Sequence, residues 1–164
     1  FAMARQVSTR QAGYRKAAEQ IAAVLESGRD VAMVNLGDVS IYATAYYVLD
    51  VVRSMGFRTE MVPGVPSFCA VAARLSQSLT EPDQPLHIIP GGGPGLGEAL
   101  DLPGSKVLMK AGRNHQKLLE ELEARKLLDR AAMVENCGLP EERPFADLTG
   151  KPDSNGYFTT VIIP

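Results

Sequence analysis

Gly37-Asp38-Val-Ser-Ile-Tyr42 stands where a compact apolar run, Val31-Ala-Met-Val-Asn-Leu36, gives way to helical spacing. In an open α/β sheet that is the carboxyl end of a strand, where helix N-termini and free main-chain groups converge on ligands. Gly37 lets backbone approach a ligand closely, and Asp38 can accept hydrogen bonds from it. The structural alternative is that Asp38 or Ser40 caps the following helix. Pro63-Gly-Val-Pro-Ser67 occupies the same position one unit later, stiffened by two prolines and offering the Ser67 hydroxyl and amide at a helix start; a tight turn plus a cap is the alternative there. Glu135-Asn-Cys-Gly138 ends a third apolar run and can present backbone in the same way.

Other chemistry finds less support. The glycine stretch from Gly91 to Gly97 fits neither G-x-G-x-x-G nor G-x-x-x-x-G-K-[ST] in any register, so it reads as a flexible inter-strand loop. His87 and His115 lack partners at metal-ligand spacing. No G-x-S-x-G is present, and Cys69 sits among alanines as buried structural cysteines do. The two cysteines, Cys69 and Cys137, are far apart and form no C-x-x-C.

The elements that must position these loops follow from periodicity. Ser8-Thr-Arg-Gln11 has the form of a capping box, followed by Tyr14, Ala17, Ile21, Val24 and Leu25 at helical spacing up to Gly28. Val31–Leu36 predicts a strand buried on both faces. Ile41, Ala45, Val48, Leu49 and Val52 predict a helix, Phe57–Val62 a second strand and Ser67–Leu75 a third helix. The polar stretch from Gln77 to Pro85 is a linker. Beyond it, strands are expected at Leu86–Ile89, Val107–Lys110, Ala131–Asn136 and Tyr157–Ile163. Asn114 is placed to cap a helix bearing Leu118, Leu119, Leu122 and Leu127. The pattern is α/β, with lobes at 1–80 and 81–164. The first lobe lacks the further central strand that a parallel sheet usually needs.

Composition bounds the partners. Hydrophobic residues make up 45% of the 164-residue chain and charged ones 22%, enough apolar side chain for a core. Lys and Arg number 17 against 19 Asp and Glu, a net charge of −2 with no basic cluster. A nucleic-acid or anionic-membrane surface therefore has no electrostatic footprint. No apolar run approaches the roughly 20 residues that span a bilayer, and no signal-peptide pattern opens the chain, so a cytoplasmic location is expected.

The runs Asn35-Leu-Gly-Asp-Val-Ser-Ile-Tyr42 and Val62-Pro-Gly-Val-Pro-Ser-Phe-Cys-Ala-Val-Ala-Ala-Arg-Leu75 resemble the tetrapyrrole (corrin/porphyrin) methylase family. Val107-Leu-Met-Lys110, Val134-Glu-Asn-Cys-Gly-Leu-Pro-Glu-Glu-Arg143 and the closing Tyr157–Ile163 run fit in the same order. Within the family, the branch that methylates C20 of precorrin-2 is the most similar. The resemblance implies a two-lobed class III methyltransferase fold, a homodimer, and S-adenosylmethionine bound in the cleft between lobes. By position, Leu36, Gly37 and Asp38 would contact the amino-acid portion and sulfonium of the cofactor, with Ile41 packed close by. Pro66 and Ser67 match the second binding loop, where Thr-Ser or Thr-Ala is frequent; Pro66 removes a hydroxyl and an amide donor. Met109 matches an adenine-side residue, and Asn136 and Cys137 its neighbouring strand-end loop. Lys110, Arg113 and Arg74 are candidates by type for the carboxylates of a tetrapyrrole. Members of the family begin with a strand and a Gly-x-Gly-Pro-Gly-Asp-Pro loop upstream of Phe1. Its absence leads to the expectation of a truncated N-terminal lobe.

Overall fold

The apolar runs of the second half pair into one five-stranded sheet in a computed structural model. It describes residues 2–154 and 156–164, without the side chains of residues 2–8 and 113. The chain divides into two compact units, Phe1–Pro66 and Ser67–Pro164. The division falls ahead of the third helix rather than near residue 80, because that helix packs on strands of the second unit.

In the second unit, α3 (Ser67–Leu75) precedes β1 (Leu86–Pro90), α4 (Leu96–Leu100) and β2 (Ser105–Met109). A 3-10 turn (Ala111–Asn114) leads into α5 (His115–Ala124), followed by β3 (Ala132–Glu135), β4 (Arg143–Phe145) and β5 (Thr159–Ile163). The strand order is β1-β2-β5-β3-β4. β1 and β2 are parallel, with Ile88 opposite Val107, and the other pairs are antiparallel. β2, β3 and β5 are buried along their whole lengths, as strands covered on both faces must be. Leu108, Met133, Val161 and Ile163 meet Leu118, Leu119 and Leu122 of α5 in one apolar cluster. By alternation Val107, Val134 and Ile162 point to the other face, and α3 packs against β3 and β5. β4 has no counterpart among the predicted strands.

The first unit holds α1 (Ala2–Glu26) and α2 (Thr44–Ser54). Ala18, Val48 and Val52 form its small core, with Tyr14, Ile21, Leu25 and Phe57 against it. Tyr14 stacks on Tyr47 with ring centroids 5.3 Å apart. α1 runs straight through Ser8–Gln11, so the capping box is not its start. The two strands predicted here, Val31–Leu36 and Phe57–Val62, do not form among the described residues. Both segments are non-helical and unpaired, and apart from Phe57, which packs on the small core, most of their apolar side chains are exposed, Val34 by 92% and Val62 by 73%. Apolar composition makes a segment suited to a sheet, but a strand exists only against a neighbour that completes its hydrogen bonds.

Candidate functional site

Asp38 ties the two loops of the first unit together. Its Oδ1 accepts from the Ser40 amide at 2.8 Å and the Ser40 hydroxyl at 2.5 Å, an Asx turn. Its Oδ2 accepts the amide of Gly64 at 2.8 Å, across 26 residues of chain. These donors, the Ser40 hydroxyl first, hold the Asp38 carboxyl below its ordinary value. Gly64 must be glycine for space: a Cβ there would lie 2.5 Å from the Gly37 carbonyl oxygen. α2 begins only at Thr44 with Ala43 ahead of it and no side-chain cap. Asp38 and Ser40 are therefore loop clamps, not helix caps.

That arrangement changes what Asp38 can do. Three donors already converge on its carboxylate, so its main task is to fix the loops. The main-chain amides of Gly37 and Val39 have no hydrogen-bond partner among the described residues. Two free amides flanking Asp38, one of them on a left-handed Gly37 with φ of 87°, are the kind of backbone donor set that holds an anionic or polar ligand group. Leu36 is exposed, and Ile41, Pro66 and Ser67 are half-buried.

In the second unit, the candidate residues sit at the carboxyl ends of β2 and β3. Met109 closes β2 and Asn136 follows β3, two strands that β5 separates and that run about 10 Å apart at the usual strand spacing. The residues that leave the two strands, Lys110 (φ 58°) and Asn136 (φ 54°), are both left-handed. Non-glycine residues rarely adopt this conformation and cluster at functional sites when they do. Asn136 donates its amide to the Phe158 carbonyl at 3.0 Å, and the Lys110 ammonium lies 5.4 Å from the Tyr157 ring centroid. Buried Glu135 accepts from Arg143 Nη1 at 3.0 Å, Ser154 Oγ at 3.1 Å and the Gly156 amide at 3.1 Å. It thereby ties Ser154 and Gly156 to the same end of the sheet.

Glu142 organises the loop after β3. It accepts the Gly138 amide at 2.7 Å and pairs with Arg74 of α3. Arg74 is thus committed to the loop rather than free for a substrate carboxylate. Burial, then the neighbouring Glu142 carboxylate, pushes the Cys137 thiol up, so it is protonated at neutral pH and no nucleophile. Cys137 contributes shape and backbone to the edge. Replacing Glu142 with Ala is expected to speed amide exchange at Gly138 and Leu139 while β2 and β5 stay protected. Hydrogen-exchange mass spectrometry reads this directly.

The glycine loop is packed at its start. Gly91 donates to the Met109 carbonyl at 2.7 Å, and a Cβ on it would meet Ala111 at 2.9 Å. Asn114 spends its side-chain amide on the Gly92 carbonyl at 2.8 Å and caps nothing. His87 and His115 donate from Nε2 to the carbonyls of Pro103 and Pro152. The sequence marks Glu135 only as the start of a strand-end loop and gives Glu142 no role of its own, because the partners of both are set by the turns around them. The acidic run beside Arg143 was the available signal.

Asp38, Asp101, Glu142 and Asp147 all have carboxyls held below their ordinary values, each chiefly by a hydrogen bond. A depressed carboxyl stabilises the fold above its unfolded-state value and loses that contribution as pH falls through the lower folded one. The urea midpoint is therefore expected to drop below about pH 4 and to stay level between about pH 5 and 7. A loss of stability on raising the pH through 6 would contradict this.

A sequence profile of the Tetrapyrrole (Corrin/Porphyrin) Methylases matches residues 1–152. Precorrin-2 C(20)-methyltransferase of Sinorhizobium sp is 32% identical over 154 residues, covering 92% of this chain. The chain spans 62% of the length of that relative. Cobalt-precorrin-2 C(20)-methyltransferase of Salmonella typhimurium is 29% identical, with 99% of this chain and 70% of that protein covered. Among solved structures, a cobalt precorrin-4 methyltransferase superposes with a TM-score of 0.72 at 18% identity, over 89% of this chain and 68% of that one. That likeness concerns the fold.

Proposed function

The chain belongs to the tetrapyrrole (corrin/porphyrin) methylases, and on that premise we propose that it serves S-adenosylmethionine-dependent methyl transfer to C20 of precorrin-2 or its cobalt-containing counterpart. The observation that carries the reading is similarity to two C20-methyltransferases over at least 92% of the chain. The Asp38 clamp supports it by fixing the Gly37 loop in the form a backbone-held cofactor needs. Leu36, Gly37, Asp38 and Ile41, with Pro66 and Ser67, are the proposed contacts to the amino-acid portion of the cofactor. Met109, Asn136 and Cys137 are the proposed adenine-side contacts.

The cofactor supplies an electrophilic methyl on sulfur, and the acceptor is an electron-rich ring carbon. The protein's share is then alignment and exclusion of water rather than strong acid–base catalysis. No side chain is assigned as a base. Lys110, at the left-handed exit of β2, is the cation proposed to meet a substrate carboxylate. A homodimer and a cytoplasmic location complete the proposal; no helix among the described residues is long and apolar enough to cross a membrane.

Incubation with precorrin-2 and methyl-labelled S-adenosylmethionine tests the reading, with the new methyl located by NMR. Label at C20 is expected. Label at another ring carbon would keep the family chemistry and overturn the C20 assignment.

A further inference from the structure

At the opposite end of β2 from Met109 lies a cavity of about 380 Å³, built entirely from the second unit. Lys106 and Arg130 both line it, together with Leu127, Ile163 and the hydroxyl-bearing Ser105 and Thr80. Lys106 is a surprising residue for this place. It stands in a strand buried along its length and is itself only 9% exposed, and burying an ammonium is costly unless something compensates it.

Its compensation within the protein is incomplete. The ammonium donates one hydrogen bond, to the Gly104 carbonyl at 2.7 Å, out of three available. The nearby carboxylate of Asp101 is taken by Arg125, with Nε at 2.7 Å from Oδ1 and Nη2 at 3.1 Å from Oδ2. Arg130 uses one nitrogen on the main-chain oxygen of Pro164 at 2.7 Å. Neither cation forms an ion pair with a side-chain carboxylate among the described residues; Glu81 lines the cavity but lies beyond ion-pair distance of both. Burial and then the charge of Arg130 push the Lys106 ammonium below its ordinary value, as two cations sharing one pocket must.

We propose that this cavity is a binding site for a small organic anion, its carboxylate or phosphate oxygens between Lys106 and Arg130 and its apolar body against Leu127 and Ile163. An oxyanion there accepts the spare donors of both cations in charge-assisted hydrogen bonds. It also cancels their mutual repulsion. The site lies about 10 Å along β2 from the Met109 end, so it is separate from the proposed adenine-side contacts and independent of the proposed activity.

The test is an NMR titration of the whole isotope-labelled chain at constant ionic strength, with inorganic phosphate in one arm and butyrate in the other. Saturable shifts confined to residues 104–106, 130 and 163 are expected, and the arm that saturates at lower concentration identifies the oxyanion. Arg130→Gln and Lys106→Met should each weaken binding by roughly tenfold or more, since each removes a charge-assisted bond. Arg130 is exposed, so its variant keeps the fold, and unshifted α5 resonances report that. Shifts that grow linearly without saturation in both arms, or that persist unchanged in Arg130→Gln, would overturn the proposal.

Discussion

Gly64→Val is expected to weaken binding of S-adenosylhomocysteine at least about tenfold and to leave the five-stranded unit folded. A Cβ at residue 64 would stand 2.5 Å from the Gly37 carbonyl oxygen and 3.4 Å from the Asp38 Cα. Both are backbone atoms, so no side chain can swing aside, and the two loops must separate. The bond from the Gly64 amide to Asp38 is lost with that separation. A displacement of about 1 Å at a positioning loop costs on the order of a hundredfold in rate, so methyl transfer should fall further than affinity. Asp38→Ala should reproduce the binding defect by removing the clamp from the other side. Calorimetric titration of both variants checks the pair. Wild-type affinity in Gly64→Val would show that the loops have no part in holding the cofactor.

Leu122→Ala is expected to cost about 2–5 kcal/mol of stability. Leu122 is fully buried and sits with Leu118 and Leu119 in the cluster that joins α5 to Leu108, Met133 and Val161. The surrounding groups belong to a helix and three strands held by hydrogen-bond ladders, so the site cannot collapse into the space left behind. Urea denaturation followed by circular dichroism measures the shift in midpoint. A cost below about 1 kcal/mol would mean the cluster relaxes freely. Leu25→Ala makes a useful comparison because Leu25 is only partly buried, against the much smaller core of the first unit. Its cost should be clearly lower.

The second unit was legible because its signals are local. β1, β2, β3 and β5 are apolar runs near their predicted places, and the α5 leucines repeat at helical spacing. Two predicted strands in the first unit were misread for the complementary reason. Val31–Leu36 has the composition of a buried strand, but pairing is a property of two segments and no composition guarantees the second. β4 escaped notice because Arg143–Phe145 is three residues long, contains proline and has no alternation to detect. Asn114 looked like a cap by its place before a helix, while its amide is drawn to Gly92, 22 residues away. The same distance effect applies at the candidate site. Sequence marked the Gly37-Asp38 and Pro63-Gly64 loops separately, and only the fold joins them through Asp38 Oδ2. Glu142 likewise needed the fold to bring Arg74 and Gly138 to it.

The Gly37 and Gly64 loops and the ends of β2 and β3 are proposed to hold the methyl-donor cofactor. Calorimetric titration of S-adenosylhomocysteine into the protein, with AMP and NAD as controls, addresses this most directly. Saturable binding that neither control reproduces is the predicted result. Equal binding of AMP would reduce the site to a generic nucleotide pocket, and no binding of S-adenosylhomocysteine would contradict the account.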